Sequence, residues 1–221
     1  VATLTTRLSL RKPASGDTVN VSTDLGGPYD SIDAAVGATN VTAATRPGSP
    51  FTGQHIVETD TNRTYVYDGG WLLIGSMVAV KTSDNTVNNT STLASDAQLT
   101  LPVEANTTYT LELFLDYSSG TTPDAKIGLS VPASATWSLA PNGMLTTVAA
   151  TSGSVETAPS VTAGNLSFGG NGAGVHLTAN PVGWLKTAGT AGNVVVQFAQ
   201  ATANASNTIL YTGTWIRLTR I

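Results

Sequence analysis

The sequence predicts an all-β protein, and three observations carry that expectation: few charges, an excess of glycine, and short runs in which apolar and polar residues alternate. Of 221 residues only 11% are charged, against about 25% in an average soluble domain, and 22 are glycine. Helical surfaces are ordinarily built from Glu, Lys, Arg and Gln, which lose little rotamer freedom there. Thr and Val, abundant in this chain, are stiff at χ1 and fit a pleated sheet. A hydrophobic share of 41% is enough for a true core. Many short strands separated by Gly-rich turns are therefore expected.

In chain order, residues 1–45 read as an extended arm. Residues 8–10 alternate briefly ahead of Arg11, Lys12 and Pro13, and residues 14–17 are polar and turn-rich. One short helix is expected over residues 29–37, where Tyr29, Ile32, Asp33 and Val36 fall at helical spacing and Gly37 is suited to end it. Residues 46–76 read as a three-stranded meander. Strands over 54–59, 63–67 and 71–74 are separated by turns at Asp60-Thr61-Asn62 and Asp68-Gly69-Gly70. Alternation sets Tyr65 and Tyr67 against Val66, and Trp71 and Leu73 against Leu72 and Ile74, so both faces of the meander are apolar. A sheet this small cannot bury two faces alone. One face is expected to pack within the chain and the other against a second copy, with Tyr65, Tyr67, Trp71 and Leu73 as the oligomer interface.

Residues 77–221 read as a β-sandwich head of jelly-roll-like character, with turn clusters at the intervals of such folds. Leu111, Leu113 and Leu115 line one face of a strand, as do Val194, Val196 and Phe198 in another. The terminal strand alternates Trp215, Arg217 and Thr219 with Ile216, Leu218 and Arg220, which ties the C-terminal residues into a sheet.

Composition also excludes partners. Ten Lys and Arg stand against 14 Asp and Glu with no basic run, so the field needed to hold a phosphate backbone is missing and nucleic acid is not an expected partner. No apolar run reaches the ~18 residues of a membrane span, and residues 1–7 lack the basic-then-apolar pattern of an export signal. Cys is absent, which removes disulfides and thiolate metal sites.

The sequence offers no catalytic residue, metal site or cofactor motif. His55 and His176 have no second ligand-type residue at metal-binding spacing. Residues 169–174 are Gly-rich, but their spacing is not that of a dinucleotide loop and no helix follows. Asp60 opens what resembles a calcium loop until Thr64 and Tyr65 occupy the wrong positions. Glu104, Glu112, Asp116 and Asp124 are the densest carboxylates. Glu112 and Asp116 share a strand face, yet four residues of strand separate them by ~13 Å, too far for a glycosidase pair. A non-enzymatic protein is expected.

Several segments are familiar. Residues 7–13 (Arg-Leu-Ser-Leu-Arg-Lys-Pro), residues 29–37 (Tyr-Asp-Ser-Ile-Asp-Ala-Ala-Val-Gly) and residues 45–71, with the block Glu58-Thr59-Asp60-Thr61 followed by Tyr65-Val66-Tyr67-Asp68-Gly69, resemble the front half of minor tail and fibre proteins of phages that infect actinobacteria. Residues 104–113 and 213–218 look like the β-rich C-terminal domain that lies behind it in such proteins. The region from Ala140 to Gly174 matches no part of that family.

The resemblance implies a virion protein on the particle exterior: an N-terminal segment that attaches to other virion proteins, a small meander, and an outward-facing homotrimeric tip. Leu8, Leu10, Tyr29 and Ile32 are then the expected docking residues. A bacterial surface glycan is a possible ligand of the tip, with Trp137 and Trp184, both near turn-forming residues, as candidate contacts. A capsid decoration protein or head fibre is the alternative with the same architecture, and a polysaccharide depolymerase is the third reading. A secreted bacterial β protein would share the composition but normally carries an export signal.

Overall fold

The structure is a computed structural model. It describes residues 38–146 and 164–221 throughout, the two-residue strands at Val155–Glu156 and Val161–Thr162, and before residue 38 only Thr3–Leu4, Arg11–Lys12 and isolated positions between Gly16 and Tyr29. The chain divides into two compact units, Val1–Gly75 and Ser76–Ile221. Both are built from strands. No helix among the described residues is long and apolar enough to cross a membrane.

In the first unit, β1 (Thr3–Leu4) pairs antiparallel with β2 (Arg11–Lys12). Of the helix expected over 29–37, only Tyr29 lies within the described residues, and it is exposed. Leu8, Leu10 and Ile32 lie outside them. A four-stranded sheet follows: β3 (Thr39–Val41), β4 (His55–Glu58), β5 (Arg63–Tyr67) and β6 (Trp71–Ile74). The first pair is parallel and the others antiparallel. Sequence reading placed residues 39–41 in the arm, because three residues hold too little alternation to announce a strand. Both hairpin turns use residues that tolerate the left-handed region, Asn62 at φ +53° and Gly69 at φ +72°.

One face of this sheet is closed inside the chain. Ile56 is opposite Tyr65, and Tyr65 is opposite Leu73. Ile56 and Tyr65 are both buried. Beside them the Glu58 carboxylate, wholly buried, accepts hydrogen bonds from Arg46 Nε and from Thr61 Oγ1, the latter at 2.6 Å. The Arg46 guanidinium also stands 4.3 Å above the Tyr65 ring. Tyr65 is only 3% exposed, which corrects its expected place in an oligomer interface: it has no surface left to offer. Tyr67, Trp71 and Leu73 on the same face are half-buried, and Tyr67 meets Trp71 edge to face at 5.3 Å. The opposite face carries Val57, Val66 and Leu72, half-buried, and Ile74, exposed.

The second unit is a sandwich of two sheets. Its strands are β7 (Ser76–Val80), β8 (Asn85–Val87), β9 (Ala94–Val103), β10 (Thr108–Ser119), β11 (Ala125–Ser130), β12 (Thr136–Ala140), β13 (Gly143–Met144), β14 (Val155–Glu156), β15 (Val161–Thr162), β16 (Leu166–Phe168), β17 (Gly172–Ala179), β18 (Val182–Lys186), β19 (Gly192–Gln200), β20 (Thr208–Leu210) and β21 (Trp215–Arg220). Three of the chain's passes are single runs with an interruption. β17 and β18 hold one register against β10 across Pro181, whose missing N–H breaks the ladder and whose carbonyl accepts Leu113 N–H at 2.9 Å. β20 and β21 also flank β10 in succession, with the register shifted by two residues at a turn over Tyr211–Thr214, and β7 and β8 follow them.

Counted as passes, the larger sheet runs β7/β8, β20/β21, β10, β17/β18 and the smaller β9, β19, β11, β16. This order, first-eighth-third-sixth against second-seventh-fourth-fifth, is that of a jelly roll. β12 and then β15 extend the larger sheet beyond β18. The inward residues of β10, from Tyr109 through Leu111, Leu113 and Leu115 to Tyr117, are buried, as are Leu99, Leu101, Val194, Val196 and Phe198 of the facing sheet. Tyr117 of one sheet meets Phe168 of the other at 6.0 Å. Both buried tyrosines satisfy their hydroxyls: Tyr109 Oη accepts Glu104 N–H and Tyr117 Oη donates to the Gly169 carbonyl, each at 2.9 Å. Gly183 allows β18 to lie against β12, since a Cβ there would stand 1.8 Å from the Ser138 carbonyl oxygen.

Candidate functional site

The outward face of the larger sheet is the most distinctive surface of the head. Because side chains alternate, the residues between the core positions of β10 point away from the sandwich, and register assembles them into cross-strand rows. One row reads Ala140, Val182, Glu112, Arg217, Val78; the next reads Ser138, Trp184, Thr110, Thr219, Ser76. Phe114 stacks on Trp215 at 6.1 Å, with Arg217 lying 5.4 Å from the indole and paired to Glu112. Val78, Val80, Val182 and Trp184 are all exposed on this face.

At one end of the face the sheet borders a hollow of about 340 Å³ lined by Asn106, Ser134, Thr136, Lys186, Thr187 and Ala188. Trp184 is the next outward residue on β18 after Lys186. It is 40% exposed, and its cross-strand partners are Ser138, which is buried, and Thr110. The floor of the hollow is held by Thr187. Its buried hydroxyl accepts Thr107 N–H at 2.9 Å and donates to the Glu104 carbonyl at 2.6 Å. The rim is set by two residues in the left-handed region, Asn106 at φ +53° and Ser134 at φ +61°, and Asn106 N–H is fixed to the Ala188 carbonyl at 2.8 Å. Among the described residues, the side chains of Asn106, Ser134, Thr136 and Lys186 have no hydrogen-bond or ionic partner.

A second polar cluster lies farther along β10. His176 Nδ1 is 2.8 Å from Asp116 Oδ1, and the imidazole stacks on Tyr211 at 3.9 Å. Tyr211 Oη and Ser118 Oγ are 2.8 Å apart, and Ser118 Oγ accepts Gly174 N–H. Asp84 accepts the N–H and hydroxyl of Thr212, which hold its carboxyl below the usual carboxylate range. Each group here already has a partner, so the cluster serves to pin the Gly-rich segment 172–174 to the sheet.

Trp137 is 6% exposed, on the core face of β12 opposite Leu185, and this corrects its expected role as a glycan contact. Trp184 lies on the outward face. His55 is exposed at the start of β4. Gly169 and Gly170 are packing residues, as Cβ atoms there would stand 2.3 Å from the Leu145 carbonyl and 2.2 Å from that of Gly120. Asp60 accepts Ala43 N–H, a bond that joins a turn to the chain ahead of it. Glu104 is bonded to Arg220, Glu112 to Arg217 and Asp116 to His176. Among the described residues no three His, Asp or Glu side chains are grouped to hold a metal. The hollow has no signature in the sequence, because its lining comes from three separate loops and two strand ends with no spacing that links them.

No protein-family model matches the chain, and no curated protein matches it significantly. Solved structures do. The tripod from the baseplate of bacteriophage Tuc2009 is 12% identical with a TM-score of 0.31, over 96% of this chain and 98% of that one. A structure of infectious bursal disease virus, Gx strain, is 7% identical with a TM-score of 0.23, over 70% of this chain and 43% of that one. The VP2 subviral particle of infectious bursal disease virus is 12% identical with a TM-score of 0.21, over 80% of this chain and 46% of that one. Likenesses this distant carry no argument about what the chain does.

Proposed function

We propose that this chain is a non-enzymatic structural protein of a bacteriophage particle, a tail-fibre or minor-tail subunit on the particle exterior. In this reading the N-terminal segment docks on other virion proteins, the chain forms a homotrimer, and the jelly-roll head meets the host surface. The observation that carries it is the outward face of the larger sheet. Four exposed hydrophobic residues and a stacked aromatic pair make a broad surface for holding a partner. The motif likeness of residues 7–13, 29–37 and 45–71 to actinobacteriophage tail proteins supports the virion setting. Glu104 and Glu112 are each tied to an arginine, which supports a structural role for these two carboxylates.

Trimerisation is assigned to the open face of the small sheet, where Ile74 is exposed beside Val57, Val66 and Leu72. Light scattering at micromolar concentration should return three times the chain mass, and a stable monomer would remove the trimer. Gold-labelled antibody on intact particles should mark the tail. Label on the shell would favour a capsid decoration protein or head fibre, and particles free of label would refute the virion reading. Release of reducing ends from host wall polysaccharide would establish the depolymerase reading instead.

A further inference from the structure

We propose that the hollow beside Trp184 binds a saccharide carrying a negatively charged substituent, with the indole as stacking platform and Lys186 as counter-charge. The proposal rests on the reading of the head as a host-facing module and adds the ligand class and the place where it binds.

Three features converge there. First, Trp184 is 40% exposed between Ser138 and Thr110 on the outward face, two positions along β18 from Lys186, which lines the hollow. An indole face carries negative quadrupole density, and the C–H-rich face of a sugar ring presents the matching positive edge. Second, the hollow offers Asn106, Ser134 and Thr136, whose side chains are unengaged among the described residues. Amide and hydroxyl groups both donate and accept, which is what sugar hydroxyls demand of a site. Third, Lys186 has no anionic partner among the described residues, and the carboxylate of Glu104, whose carbonyl anchors the floor, is bound to Arg220. A carboxylate or phosphate on the sugar would supply that partner. The protein's net charge of −4 repels polyanions in general, so the local cation is what would admit one.

The site is also prepared in advance. Thr187 is buried and hydrogen-bonded on both sides, Asn106 is held by its backbone, and Ala135 N–H is tied to the Pro132 carbonyl at 3.0 Å. Little ordering is left for the ligand to impose. A volume of about 340 Å³ is at the small end of ligand sites, which suits one substituted sugar unit of a longer polymer. The Asp116–His176–Tyr211 cluster does not compete for this role, because its groups satisfy one another.

The test is titration of the 221-residue chain by calorimetry with trigalacturonate, a glycerol-phosphate-substituted oligosaccharide and neutral maltotriose. Binding of at least one anionic probe, more tightly than maltotriose, is expected. Trp184→Ala should weaken it at least ~10-fold through loss of aromatic area. Lys186→Met should weaken it roughly 3- to 5-fold and abolish the preference over maltotriose, as should added salt, whereas Lys186→Arg should retain the preference. Both side chains are exposed, so unchanged melting temperatures will show that the variants fold. Which anionic probe binds separates carboxylate from phosphate. Failure of both anionic probes at millimolar concentration, or binding indifferent to both substitutions, overturns the proposal. In that event antibody labelling of the tail would still stand or fall separately, which keeps the attachment reading distinguishable.

Discussion

Removing the carboxylate of Asp96 should unfold the head at a markedly lower temperature, and the reason is a single buried charge. Lys81 Nζ and Asp96 Oδ2 are 2.5 Å apart, and each side chain is 3% exposed. The carboxylate also accepts Gln98 N–H at 3.0 Å and lies 3.4 Å from Asn85 Nδ2, so it organises the crossing from β7 and β8 to β9. Asp96→Ala leaves the ammonium in a site from which water is excluded, a change that costs about 3–5 kcal/mol. At about 3 °C per kcal/mol for a unit the length of residues 76–221, the melting temperature should fall by roughly 10–15 °C in calorimetry. The double variant Lys81→Met, Asp96→Leu removes both charges and both desolvation costs, and should lie within about 1 kcal/mol of the parent. If the double variant is as unstable as Asp96→Ala, or if Asp96→Ala costs under about 1 kcal/mol, stranded charge is not what holds this crossing together.

Other substitutions probe separate parts of the molecule. Gly183→Ala should cost upward of about 2 kcal/mol in urea unfolding, because its Cβ would drive β12 off β18 at the Ser138 carbonyl. Arg46→Ala should remove about 2–3 kcal/mol from the first unit by leaving Glu58 buried with Thr61 as its remaining side-chain donor; amide exchange at Ile56 and Tyr65 should quicken while core amides of β10 stay protected. Burial holds the Asp124 carboxyl above its ordinary value, although Gly170 N–H, 2.9 Å away, pulls it down. The native state therefore binds that proton more tightly than the unfolded chain, and Asp124 favours folding least once pH has risen through the carboxylate range. Asp124→Asn keeps an acceptor and tolerates the local φ of +49°, so its melting temperature should exceed the parent's at pH 7, with the difference vanishing near pH 3.

The sheet-forming character of the chain and the faces of its longest strands were legible in the residues alone. Tyr and Leu in 108–119, Val and Phe in 192–200, and Ile and Leu in 215–220 recur at every second position and specify which side of a strand is buried, because a strand's side-chain period is two whatever it pairs with. The hairpins at Asn62 and Gly69 were legible for a similar reason, since the left-handed backbone they need is open to few residue types. Pairing was another matter. Nothing local to Thr39–Val41 says that it will join β4 in parallel, and nothing local to Pro181 says that the strands on either side will share one register against β10.

Burial of the aromatic residues was likewise decided by the tertiary structure. Trp137 and Trp184 both stand near turns, yet β12 and β18 pair as neighbours in one sheet with a register that sends one indole into the core beside Leu185 and leaves the other outside. Tyr65 could have served an interface until Arg46, nineteen positions earlier, folded over it to reach Glu58. The hollow beside Trp184 gathers Asn106, Ser134 and Lys186 from segments that only the sandwich brings together. Periodicity acts along the chain and so is written in it; which elements meet depends on long-range pairing, whose energies no short stretch of residues contains.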